Sequence, residues 1–447
     1  MNALRKAQAR KRTQRADANA DSGADSDAAG AAAAEPPPEH GGAAENPASH
    51  LRPRGSNHAG MREFNERVVL QAIRLHGSPP KAQIARLTRL TPQTVQIIIA
   101  RLEADQLVRR LEPLRGKVGQ PSVPMALNPN GAFSIGIKIG RRSLDMLLVD
   151  FTGQVRERVV MNYTFPDPDA LFKEVKLRLR ELSAALPPRL RGRLYGIGVA
   201  APLAMDGWQT LLGVAPSRPA KWAGIDIRAR VQAMTDLPVE FVKDTSAACV
   251  AELVAGRGRS MRSFLYIFVD TFIGGGLVID SHLRMGLNGN AGAVGSMATG
   301  AAALQGESTP AQLLSVASLF RLESLFAQQG LDPSAAADGR ALAPPWRRLT
   351  QRWLRDAVRM LALSINNAAC LLDLEGVIVD GSFNRELLQA LLDELDPGLG
   401  RYSWEGVARP QLLAGTIGSD ARAIGGALLP LYANFAPDRD LFLKIAS

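Results

Sequence analysis

Gln93, Thr94, Gln96 and Arg101 lie within nine residues of one another and carry side chains that hydrogen-bond base edges and phosphates. Their spacing is set by the apolar residues between them. Val95, Ile98, Ile99 and Leu102 fall at i, i+3, i+4 and i+7, one face of an α-helix, which leaves the polar set on the other faces. Thr91 suits the N-cap, where its hydroxyl can accept from a free first-turn amide, and Pro92 suits the first helical position. Just upstream, a short segment around Ile84–Leu87 ends in a break at Thr88-Arg89-Leu90. Two short helices joined by a three-residue turn read as a helix-turn-helix whose second helix enters a major groove. An ordinary helical hairpin has the same pattern.

The elements around this segment must support it. Residues 60–76 predict a helix with Phe64, Val68, Ala72 and Ile73 inward and Gly77 as its stop. A strand beginning at Leu107-Val108, a loop over 111–120 and a returning strand over Val123–Leu127 predict a hairpin wing. Arg115 and Lys117 at its tip suit phosphate or minor-groove contact, and Gly119-Gln120-Pro121 would lie along the backbone and minor groove. Residues 51–120 hold 13 Lys and Arg against 5 acidic residues, so most of the net charge of +10 sits here. A double-stranded DNA partner explains that concentration; a solvated basic surface is the alternative. Asn128-Pro129-Asn130-Gly131 is turn chemistry, so we expect a disordered tail over 1–54, a winged helix-turn-helix over 55–130 and a second domain over 131–447.

The second domain alternates strands and helices. Strand–turn–strand blocks at 134–150 and 264–280, each closing on an Asp (Asp150, Asp280), form a weak internal repeat. An α/β fold with mixed sheets and a cleft between two halves is expected. Asp244, ahead of Thr245-Ser246 and a helix, suits capping. Cys249 and Cys370, both in apolar segments, are expected to be buried free thiols. No apolar run approaches the roughly 20 residues that span a bilayer, and no signal-peptide pattern opens the chain, so a cytoplasmic protein is expected.

Six segments in order resemble the ROK family of repressors, open reading frames and sugar kinases. After the helix-turn-helix and wing come IGIKIG with LLVDFTG, VKDTSAACVAEL (242–253), DTFIGGGLVID (270–280), GLNGNAGAVGSM (286–297) and IGGALLPLYANFAP (424–437). The resemblance implies an actin-like, ribonuclease-H-like two-lobed domain that assembles as a dimer or tetramer. In family kinases the first strand ends in Asp before a glycine turn; here Lys138 and Gly140-Arg141-Arg142 stand there. A second phosphate loop, normally Gly-Thr-Gly-Ile-Gly, is Asp270-Thr271-Phe272-Ile273-Gly274, and the adenosine-side Gly-Gly is Asp380-Gly381-Ser382. Asp244 matches the family's catalytic base, but its usual Asn neighbour is Lys243. Ala293-Val294-Gly295-Ser296 replaces the sugar-binding and zinc-ligating Glu-x-Gly-His, and the following Cys-rich motif is missing, so neither zinc nor another cofactor is expected. Trp222, Asp226, Asp244 and Asn288 remain as candidates to touch a sugar or sugar-phosphate effector, Trp222 by stacking or else as core.

The sequence therefore points to a non-catalytic DNA-binding repressor of carbohydrate genes, with a degenerate sugar-kinase-like domain that senses an effector and dimerises. The alternatives are an ATP-dependent sugar kinase with a DNA-binding head, and a DNA-binding dimer that responds to no ligand.

Overall fold

Thr91 accepts a hydrogen bond from the Thr94 amide at 3.2 Å and Pro92 opens the helix it caps. In the computed structural model, which describes residues 58–113, 122–207, 217–299 and 310–437, that helix is α3 (Pro92–Ala104). It follows α1 (His58–His76) and α2 (Lys81–Thr88). Arg89 adopts a left-handed conformation at φ 56°, which turns the chain between α2 and α3. Val95, Ile98, Ile99 and Leu102 are buried as their spacing predicts. On α1, Ala72 and Ile73 are buried as expected, but the N-terminal part of the face differs. Phe64 is 48% exposed, and Val69 and Leu70 take the core positions. Beyond α3, β1 (Val108–Arg110) pairs antiparallel with β2 (Met125–Leu127), and Pro80 bridges to Pro124 beside them.

The internal repeat is realised as two five-stranded sheets with the same order. In the first, β3 (Phe133–Ile139), β4 (Ser143–Asp150) and β5 (Val155–Asn162) are antiparallel, and β6 (Leu194–Ala201) and β7 (Val239–Lys243) add parallel strands in the order β5-β4-β3-β6-β7. The second runs β10-β9-β8-β11-β12, from β8 (Phe264–Val269), β9 (Gly274–Ile279), β10 (His282–Arg284), β11 (Gly376–Gly381) and β12 (Gln411–Ala414). Helices α4 (Pro168–Ala185) and α5 (Ile227–Gln232) flank the first sheet. α6 (Asp244–Ala255) follows β7 directly. α7 (Leu313–Ala317), α8 (Leu319–Ala327), α9 (Arg347–Leu372) and α10 (Arg385–Leu399) build the second lobe's core.

The last helix, α11 (Ala421–Phe435), holds the parts together. A Cβ placed on Gly425 would lie 1.7 Å from the Ala247 carbonyl oxygen of α6, and one on Gly198 of β6 would lie 1.8 Å from the Gly426 carbonyl oxygen. Glycine is therefore required where α11 crosses between the lobes. Further along α11, Ala427, Leu431 and Phe435 join Ile73, Ile84, Ile99, Leu147 and Phe151 in one apolar cluster. Residues of 58–113 and 122–127 thus share a core with the first sheet, and the turn at Asn128–Gly131 separates no packing units. Polar contacts reinforce the joint. The Arg74 guanidinium lies 5.2 Å from the Phe151 ring centroid and 4.9 Å from that of Tyr432, and Arg259 donates to the Leu75 carbonyl at 2.8 Å.

Cys249 is buried, whereas Cys370 is exposed. Ala368 and Ala369 fill the inner face of α9's last turn and rotate Cys370 outward, which corrects the expectation of two buried thiols. No helix among the described residues is long and apolar enough to cross a membrane.

Candidate functional site

A cleft of about 500 Å³ opens between the two sheets. Lys138 reaches it from β3, opposite Asp145 in the β4 register. Its ammonium donates to Ser143 Oγ at the start of β4. Asp244 is the first residue of α6, with 16% of its side chain exposed, and its Oδ1 accepts from the Thr245 amide at 2.8 Å. No side chain caps α6; the carboxylate favours the helix N-terminus by charge. From the N-terminus of α11, Arg422 pairs with Asp270 Oδ2, donates to Ser382 Oγ at 3.2 Å and lies 3.9 Å from Asp244 Oδ2. Asp270, where the family places a glycine, is thus the partner of a buried arginine.

Burial and charge set the ionisation of these groups. Burial, assisted by the Arg422 charge, pushes Lys138 down to about 8. Burial also lowers Lys243, against the pull of Asp244. Burial alone would raise Asp270, but the Arg422 and Lys138 charges outweigh it and hold the carboxyl below its ordinary range.

The two arginines of the β3–β4 turn line the cleft. Arg141 donates to the Ala204 carbonyl at 2.7 Å and stacks 5.3 Å from the Phe272 ring centroid. Arg142 pairs with Glu323 of α8 at 2.8 Å, tying the first lobe to the second. The surviving glycines of β9 have a packing reason. Cβ atoms on Gly274, Gly275 and Gly276 would come within 2.8 Å of Thr245, 2.4 Å of the Tyr266 carbonyl and 2.5 Å of Cys249. They let β9 lie against α6 and β8, whatever the loop before them does.

Three of the four ligand candidates are not brought together. Trp222 is 4% exposed in the first lobe's core, its indole N–H donates to the Pro166 carbonyl at 3.0 Å, and it packs on Phe172. Asp226 is exposed and caps α5 through the Ala229 amide at 3.0 Å. Asn288 is exposed beside the fully exposed Leu287; Asn290 lines the cleft instead. The indole has its use in the core and the Asp before a helix as that helix's cap. Arg422 was missed, although a single charge in an otherwise apolar helix, three residues before Gly425-Gly426, marks it.

On α3, Gln93, Gln96 and Ile97 face outward, and Gln96 shares a groove with Lys81 and Arg86 of α2. Thr91 and Thr94 are hydrogen-bonded to each other at 2.9 Å, so both hydroxyls serve the cap. Arg101 pairs with Glu66 of α1 at 3.3 Å, and Arg110 is held by Glu103 at 2.6 Å. Arg115, Lys117 and Gln120, and the segment after Thr299 where a zinc loop would fall, lie outside the described residues.

Two lobes of matching sheet order around a cleft, bridged by a terminal helix, define a two-lobed α/β protein of the sugar-kinase type. The chain belongs to the ROK family, whose sequence profile matches residues 134–432. It is similar to the xylose repressor of Bacillus subtilis (23% identical over 237 residues, 53% of this chain and 61% of the relative). It is also similar to the bifunctional enzyme NanE/NanK of Brucella melitensis (28% over 253 residues, 55% of this chain and 45% of the relative). The chain spans about three fifths of the length of the xylose repressors it matches. A solved ROK family transcriptional regulator, a homologue of the Escherichia coli Mlc protein, superimposes with a TM-score of 0.62 over 84% of this chain and 97% of its own, at 18% identity.

Proposed function

We propose that the protein is a cytoplasmic DNA-binding repressor of carbohydrate genes whose head, a winged helix-turn-helix over residues 55–130, reads an operator as a dimer or tetramer. The observation that carries this is α3, which presents Gln93 and Gln96 on an exposed polar face beside the cations of α2 while its other face is locked into a core shared with the cleft-bearing domain. Similarity to a xylose repressor supports a sugar-derived signal. Ligand in the cleft acts on Arg422 at one end of α11, and the head rests on Ala427, Leu431 and Phe435 along the same helix. A change in how α11 sits between the lobes would alter the spacing of two heads on a palindromic site. Arg115, Lys117 and Gln120 of the wing, with Arg101 freed from Glu66, would contact backbone and minor groove.

Replacing Gln93 and Gln96 together by Ala is expected to cut the ratio of operator to random-DNA affinity about tenfold or more, since each good base-edge pair contributes roughly 1–3 kcal/mol. Competitive gel shifts on a sequence selected from random DNA measure this, and an unchanged ratio would show that α3 is not the reader. Replacing Arg115 and Lys117 by Ala should instead weaken binding to both DNAs alike and lower the salt slope by about 1–2.

Asp244 keeps a second reading open, a sugar kinase with a DNA-binding head, and NanE/NanK similarity favours it. Against it, Arg141 and Phe272 occupy the loops where backbone would approach phosphate, and Lys138 stands in place of an acid. We expect no ADP release above background with ATP, Mg²⁺ and common hexoses or amino sugars; turnover abolished by Asp244→Asn would establish the kinase instead.

A further inference from the structure

Lys243 is only 8% exposed, lines the cleft, and makes no ammonium hydrogen bond or ion pair with any described residue. Lys138, 6% exposed, has Ser143 as its hydrogen-bond partner. Lys138 is on β3 and Lys243 ends β7, two strands of the first sheet separated by β6, and both line the cleft. The Nε atoms of Arg141 and Arg422 are buried without a partner.

The carboxylates facing these four cations are few. Asp244 is within electrostatic reach of all four, Asp270 pairs with Arg422 and also faces Lys138, and Asp206 faces Arg141. Asp145 lies opposite Lys138 and shares Arg158 with Asp420, and Glu323 is matched by Arg142. Lys243 is the cation left short: its nearby carboxylate is Asp244, which it shares with Lys138, Arg141 and Arg422. A buried amine without a partner destabilises the empty protein, because taking an ammonium out of water is costly unless it is paired. An apolar side chain would be more stable in the Lys243 position, and a bound anion would offset the cost of the lysine there.

We propose that the inner end of the cleft, between Lys138, Lys243 and Arg422, takes the anionic group of a small polyhydroxy ligand, a sugar phosphate or a sugar acid, in preference to a neutral sugar. Asp244 and Asn290 remain to accept from and donate to its hydroxyls. This rests on the reading of the cleft as the effector site and adds the chemical class of the effector.

Isothermal titration of the full-length protein tests it, with xylose, glucose and N-acetylglucosamine against glucose 6-phosphate, glucuronate and inorganic phosphate. The expected result is binding of at least one anion, at least about tenfold tighter than any neutral sugar, the value of one charge-assisted hydrogen bond. Glucose 6-phosphate alone binding identifies a phosphate pocket, and glucuronate alone a carboxylate pocket. Lys243→Met should lose that preference and melt no lower than the parent, whereas Lys243→Arg should keep it. Anion affinity should also fall between about pH 7 and pH 9 as Lys138 gives up its proton. A neutral sugar binding as tightly as the anions, or an anion affinity indifferent to Lys243→Met, overturns the proposal and leaves the effector site standing. Binding of nothing, with operator affinity intact, overturns both.

Discussion

Gly425→Ala is expected to destabilise the protein by at least about 3 kcal/mol, the upper end for overpacking a filled core. The methyl would lie 1.7 Å from the Ala247 carbonyl oxygen, a contact with backbone on both sides. No rotamer change relieves it; α11 and α6 must separate, and with them the two lobes. Chemical denaturation would measure the loss. A control at Gly224, where nothing lies within 4 Å but φ is +73°, should cost only the strain of a left-handed alanine, about 1 kcal/mol. Equal effects at the two glycines would mean that the crossing of α11 is looser than its geometry.

Arg422→Met is the second large effect. It strands Asp270 in the cleft and removes the contact with Ser382. We expect a loss of about 3 kcal/mol, the lower part of the range for breaking a buried ion pair, because the Lys138 charge still faces the carboxylate. The pair also has a pH signature. Asp270's folded-state pKa is depressed, so its stabilisation is present above the ordinary carboxyl range and is lost as pH falls through the folded value. In Arg422→Met that acid-dependent part should shrink. Adding Asp270→Asn to Arg422→Met should recover most of the stability; failure to do so in a double-mutant cycle would mean that Arg422 acts through other contacts, such as the Phe268 ring 5.2 Å from it.

Much of the architecture was legible because local chemistry and tertiary need coincide. Thr91-Pro92 starts a helix whatever surrounds it, and the apolar spacing from Val95 to Leu102 matches what is buried. The repeated strand–turn–strand blocks became two sheets of one order. Edge elements were harder to read. β5 carries Arg156, Glu157 and Arg158 on a mostly exposed edge, so it shows no strand-like alternation of apolar residues. In α1 two helical registers offer apolar residues, and only docking on Phe151 and α11 selects Val69 and Leu70 over Phe64. The cleft was legible in part. Lys138, Arg141, Lys243, Asp244 and Asp270 stood out as departures or survivals within known motifs. Arg422 lies 152 residues from the Asp270 it pairs with, and no local pattern encodes that meeting.

The apolar cluster shared by α1, α2, α3, β4 and α11 has a consequence for how such a protein can be taken apart or recombined. A fragment ending at the Asn128–Gly131 turn would leave Val69, Leu70, Ile73 and Ile99 without Leu147, Val149, Phe151, Leu431 and Phe435. It would expose a sticky face and lack the partner of Arg74. Residues 58–113 and 122–131 are therefore no cassette. Grafting them onto another sensor of the same fold requires the new host's last helix and second strand to present the same apolar relief, and a chimera should be joined so that residues 58–151 and 421–435 travel together.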